Sequence, residues 1–105
     1  MITARYSTDG DRYTLTVEGH AGYDEHGKDI VCSAVSALVY ALLGWLEDHP
    51  EDTEYVDMSM EDGASVSCVG DERVGAVFEA IFTGIEMIAC RYPDHVTALG
   101  GDSRE

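Results

Sequence analysis

From Ile2 to Thr8, and again from Arg12 to Gly19, apolar and polar residues trade places at about every second position, with Tyr13, Leu15 and Val17 on one face. That period predicts two strands, and Asp9-Gly10 between them predicts a hairpin turn. The rhythm then stops. Gly19 to Lys28 is a loop of Gly, His and acidic residues, with Gly19, Gly22 and Gly27 spaced along it. At Asp29 the period changes. Val31, Ala34, Val35, Leu38, Val39, Leu42 and Leu46 recur at helical spacing, which predicts a helix over Ile30 to Asp48, capped by Asp29 and closed by His49-Pro50. This helix is apolar around most of its circumference, so it is expected to be deeply buried or shared with a partner chain. Thr53–Met60 and Ala64–Gly70, joined by Glu-Asp-Gly, predict a second hairpin. A stripe of Val74, Val77, Phe78, Ile81, Phe82, Ile85, Ile88 and Ala89 predicts a second helix over Asp71 to Tyr92, stopped by Pro93. His95–Leu99 predicts a short edge strand, and the tail from Gly100 to Glu105 is expected to fray.

The order β-β-α-β-β-α(-β) predicts an α+β fold: one two-layer domain over residues 1–105, a mainly antiparallel sheet covered by two helices. Charge adds a constraint. Twenty-one acidic side chains against six basic ones leave a net charge of −15, which argues against direct nucleic-acid binding and suits a basic partner or a salty solvent. The three cysteines, Cys32, Cys68 and Cys90, are an odd number, widely spaced, with no CxxC pair, so a disulfide framework and a zinc ribbon are both unexpected. The N-terminal residues show no apolar core region and no cleavage site, so no signal peptide is expected, and no apolar run reaches the length of a membrane span without a charge. A reducing, cytoplasmic setting follows as the expectation.

The candidate chemistry lies where the loop meets the first helix. Cys32 falls in the first helical turn, where unpaired N–H groups and aligned peptide dipoles favour a thiolate over a thiol. His20, anchored just after a strand, is placed on a loop from which it could take or return a proton. A buried structural cysteine and a solvated loop histidine are the plain alternatives. Asp29 reads as the cap, with orientation of His20 as a second role that a carboxylate's several acceptor sites would allow. Ser36, one turn after Cys32, reads as a hydroxyl bonded back to the Cys32 carbonyl or as a support for the cysteine. Cys68 and Cys90 read as packing residues. The chain has no Asn and no Gln, so any oxyanion donor must be a backbone N–H, a hydroxyl or a protonated histidine. A metal site built from His20, His26, Cys32 and Asp24 lacks any repeating ligand spacing; no metal or cofactor is expected.

The block "GHAGYDEHGKDIVCSAVSAL", Gly19 to Leu38, resembles the signature of the bacterial ribosomal-processing cysteine proteases called Prp. Gly19, His20, Ala21, Gly27, Asp29, Val31, Cys32, Ala34, Val35 and Ser36 match it, and Ser33 stands where the family usually has Ala. The resemblance implies a cytoplasmic homodimer that removes an N-terminal extension from large-subunit ribosomal protein twenty-seven, a basic substrate. It places the nucleophile on Cys32, the general base on His20, and supporting roles on Gly19, Asp29 and Ser36. It also implies a loop that moves when substrate binds. The competing expectations are a non-catalytic protein-interaction or ribosome-assembly module with an inert Cys32, and a metal-binding domain.

Overall fold

The computed structural model describes residues 1–25, 28–60 and 63–100. Among the described residues, five strands and two long helices follow the expected order: β1 (Ile2–Asp9), β2 (Arg12–Glu18), α1 (Ile30–Asp48), β3 (Thr53–Ser59), β4 (Ala64–Gly70), α2 (Glu72–Arg91) and β5 (Val96–Gly100), with a 3₁₀ turn at Pro50–Asp52. The strands form one sheet in the order β3-β4-β2-β1-β5. β1–β2, β2–β4 and β3–β4 are antiparallel, but β5 lies parallel to β1, so the sheet is mixed. The expected frayed tail, residues 101–105, lies outside the described residues apart from Gly100, which closes β5.

Period-two patterning does what it should. Ile2, Ala4 and Tyr6 of β1, Leu15 and Val17 of β2, and Val66 and Cys68 of β4 point into the core. Two helical stripes cover them: Val31, Val35, Val39, Leu42 and Leu46 from α1, and Val74, Phe78, Phe82 and Ile85 from α2. Phe82 and Phe78 are fully buried and pack on Tyr6, at centroid distances of 5.5 and 6.4 Å. Close approach depends on absent side chains. A Cβ on Gly75 would lie 2.7 Å from the Tyr13 ring, and one on Gly100 would lie 2.7 Å from the Phe82 ring.

α1 is less enclosed than its composition suggests. It is long and apolar enough to cross a membrane, and its inward stripe is spent on the core instead. Ile30 and Tyr40 on its outer side are 57% and 62% exposed. Asp71 caps α2 through the N–H groups of Arg73 and Val74. The far end of α1 is fastened beside that cap. Trp45 stacks on His49 with a centroid separation of 4.0 Å, and the Arg73 guanidinium lies over the Trp45 ring while pairing with Asp52.

The β3 edge is irregular. Its register shifts between Glu54 and Asp57, and Tyr55 takes a left-handed φ of 51°, the local signature of a bulge. This edge carries little core: Tyr55, Val56, Met58 and the following Met60 are all exposed.

Removing the ring of Phe82 empties the junction of α2, β1 and β5. Phe82→Ala is expected to lower unfolding free energy by about 3–5 kcal/mol in chemical denaturation.

Candidate active site

The site starts from Asp29, a buried carboxylate at the cap of α1. Its Oδ1 accepts the N–H groups of Val31 and Cys32 at 3.0 and 2.9 Å. Its Oδ2 accepts those of Tyr23 and Asp24 at 3.0 and 3.4 Å. One side chain therefore ends the helix and ties down the loop before it. The four N–H groups, that of Cys32 foremost, hold the Asp29 carboxyl below the usual carboxylate range against the opposing effect of burial. Both acceptor atoms are taken up by backbone donors, none of them from His20.

Cys32 is the third residue of α1 and half-buried. The N–H of Ala21 donates to its Sγ at 3.3 Å, so the residue next to His20 in the chain sits directly on the sulfur. His20 is exposed. Its carbonyl accepts from the Met1 amino group. Gly19 makes that approach feasible: it adopts φ +87°, and a Cβ there would lie 2.3 Å from the Met1 carbonyl oxygen.

His20, Cys32 and Ser36 together line two adjoining hollows. The first, about 610 Å³, runs between α1 and the ends of β2 and β4, with walls that include Val17, Val35, Val39, Tyr40, Met60 and Ala64. The second, about 460 Å³, reaches Gly22, Asp24, Asp29 and Ser33. An imidazole, a helix-start sulfur and an apolar trough beside them form an arrangement able to hold a peptide and deliver a nucleophile to its carbonyl. A larger open hollow of about 710 Å³, bearing Glu72 and Glu79 between the β1–β2 hairpin and α2, holds no cysteine or histidine.

Several expectations change here. Ser36 is exposed to the hollows, and its hydroxyl has no hydrogen bond to the Cys32 carbonyl among the described residues. Cys90 is exposed on α2, so it is not a packing residue. Cys68 is, and burial pushes its thiol up against the smaller opposing effect of Arg12. Of the metal reading, His26 lies outside the described residues, as does Gly27 of the matched pattern. Among the described residues no three His, Cys, Asp or Glu side chains come together as a metal cluster. Sequence reasoning also missed the walls supplied by Tyr40, Met60 and Gly63, and the contacts of His95 with Ala21 and Tyr23 of the loop. Pairing between distant segments puts Met60, Gly63 and His95 there, whereas Tyr40 follows Cys32 and Ser36 along one face of α1.

Residues 1–97 match the family described as cysteine protease Prp. The chain belongs to the Prp family of cysteine proteases. It is 30% identical to the ribosomal processing cysteine protease Prp of Mycoplasma genitalium over 83 residues, 78% of this chain and 82% of that protein. It is 28% identical to the protein of the same name from Bacillus subtilis over 105 residues, 91% and 92% of the two chains. Among solved structures, a Streptococcus mutans protein aligns with TM-score 0.71 at 34% identity, covering 95% of this chain and 93% of that one. The ribosomal processing protease Prp of S. aureus, solved with a covalently linked product peptide, shares the fold with TM-score 0.79 at 18% identity, covering 96% of this chain and all of that one. The Prp relationship makes this chain a cysteine protease and disfavours the non-catalytic module.

Two outcomes test the loop–cap geometry. Because the folded state holds Asp29 below its ordinary carboxylate range, its contribution to stability is present above that range and is lost as pH falls through about 4 and below. The stability gap between wild type and Asp29→Asn, followed by thermal melting, is expected to be widest near neutrality and to shrink in acid. Gly19→Ala is expected to lower Tm, since its Cβ meets a backbone oxygen that no rotamer can move.

Proposed function

We propose that this Prp protein is an endopeptidase that removes an N-terminal extension from a large-subunit ribosomal protein precursor, with Cys32 and His20 as the reacting pair. The observation that carries the reading is their shared trough, with Cys32 at the positive end of α1 and His20 on the loop whose next N–H rests on the sulfur. Cys32 Sγ attacks the scissile carbonyl carbon as its proton passes to His20. The tetrahedral intermediate collapses, the C–N bond breaks, and His20 returns the proton to the leaving amine. Water, deprotonated by His20, then hydrolyses the thioester and releases the Cys32 thiol.

Oxyanion stabilisation falls to the loop. The N–H groups of Val31 and Cys32 are already spent on Asp29, and that of Ser33 donates to the Asp29 carbonyl. Ala21 N–H, 3.3 Å from the sulfur, is the donor placed to turn onto the carbonyl oxygen once that oxygen is bonded next to Sγ. Gly19 permits the loop path, Asp29 fixes the loop and helix start together, and Ser36 lines the trough as a hydroxyl available to substrate.

The apolar walls suit an apolar, aromatic-containing stretch ahead of the cut. The net charge of −15 suits attraction of a basic precursor and opposes direct contact with nucleic acid. The same reading places the enzyme in a reducing cytoplasm, which suits its free thiols, and as a homodimer, which suits the exposed apolar residues Tyr40, Tyr55 and Met58.

Incubation with the extended form of ribosomal protein twenty-seven tests the proposal by mass spectrometry of the products. Wild type is expected to release the extension. Cys32→Ala is expected to release none, and His20→Ala to fall by about a hundredfold or more. An intact precursor with folded wild type rejects the substrate, and retained cleavage by Cys32→Ala rejects the nucleophile.

A further inference from the structure

Ala21 is buried, and both of its backbone polar groups are engaged at the site. Its N–H faces the Cys32 sulfur, and its carbonyl faces the ring of His95, with Nδ1 at 2.9 Å. A carbonyl oxygen only accepts, so Nδ1 carries the proton and donates. His95 is itself held rigidly. Its N–H donates to the Tyr92 carbonyl at 2.9 Å, and its own carbonyl accepts the N–H of Ile2 at 2.9 Å, where β5 begins to run beside β1. Its ring also meets Tyr23 edge-on at a centroid distance of 5.3 Å, and Tyr23 meets Tyr92 edge-on at 5.5 Å. The loop is thus clasped a second time, besides Asp29, by a post built from the end of α2 and the start of β5.

We infer that His95 is a positioning residue for the proteolytic reaction: through the Ala21 carbonyl it holds the Ala21 N–H, and with it the adjacent His20, in register with the Cys32 sulfur. The inference rests on the assignment of Cys32 and His20 as the reacting pair. His95 does not line the trough that holds the peptide. Its loss therefore acts on alignment of the reacting groups more than on substrate affinity. Tyr23 adds the second point of the clasp, so that the loop cannot rotate about a single hydrogen bond.

Asparagine offers a strict control, because its side-chain N–H₂ occupies nearly the place of Nδ1 while the imidazole is gone. Turnover is measured on a fluorogenic peptide spanning the extension junction of the ribosomal precursor. His95→Ala is expected to lower kcat about ten- to hundredfold with KM nearly unchanged, since small misplacement of reacting groups has effects of that size. His95→Asn is expected to recover most of the loss. Nitrogen-15 spectra of wild type at alkaline pH are expected to show His95 as the Nδ1–H tautomer. A wild-type Nε2–H tautomer, unchanged kcat in His95→Ala, or His95→Asn no better than His95→Ala overturns the inference. If His95→Ala does not fold, the tautomer and the Asn variant decide it. Cys32→Ala, run alongside, separates the two readings: retained turnover there removes the reacting pair, whereas its loss beside full turnover in His95→Ala removes only the clasp.

Discussion

Four backbone N–H groups converging on one carboxylate organise the junction of loop and helix in this protein. Asp29 begins α1 with one oxygen and collects the preceding loop with the other. A cap that served only the helix would leave the loop to wander, and a carboxylate that served only the loop would leave the helix start without its partners. Because both demands fall on one side chain, the position of the helix end and the position of the loop are the same variable. The sulfur of Cys32 and the Ala21 N–H meet as a result of that coupling.

The division of labour among backbone donors follows. A helix N-terminus is often credited with stabilising whatever anion stands before it. Here the side chain of Asp29 occupies the N–H groups of Val31 and Cys32, so the helix supplies Cys32 with orientation and a dipole, while direct N–H donation to the sulfur comes from the loop. Ala21, whose side chain is a methyl group buried in the core, makes both of its polar contacts through the backbone. The apolar trough beside it is walled by α1 on one side and the ends of β2 and β4 on the other.

Much of this was legible in the chain. The change of period at Asp29 marked the helix start within a residue, because an acidic residue followed by an apolar stripe has few other physical readings. The same step placed Cys32 in the first turn. What could not be read were the contacts made by pairing of distant segments. "HVTAL" carried enough apolar alternation to suggest a strand, but nothing in it told that the strand would run parallel to β1 or set His95 against Ala21, 74 positions away in sequence. The bulge at Tyr55 was invisible because its cause is a register shift and no marker residue stands there. Cys90 was misread since it adjoins the α2 stripe in sequence while its side chain turns outward. Helix α1 was expected to be buried or shared with a partner chain; within one chain only one stripe of it meets the core.

The parallel pairing of β5 with β1 joins the earliest strand of the chain to the latest. Such a ladder has high contact order, and its loop-closure entropy is met before its hydrogen bonds form. While the chain is being made, α1 and its cap can assemble, but the post that reaches Ala21 does not exist until the segment after α2 has emerged and docked. The segment carrying Ala21 and Tyr23 is therefore fully anchored only late in folding, and a nascent chain with α1 and its Asp29 cap already formed lacks the His95 contact until β5 docks against β1.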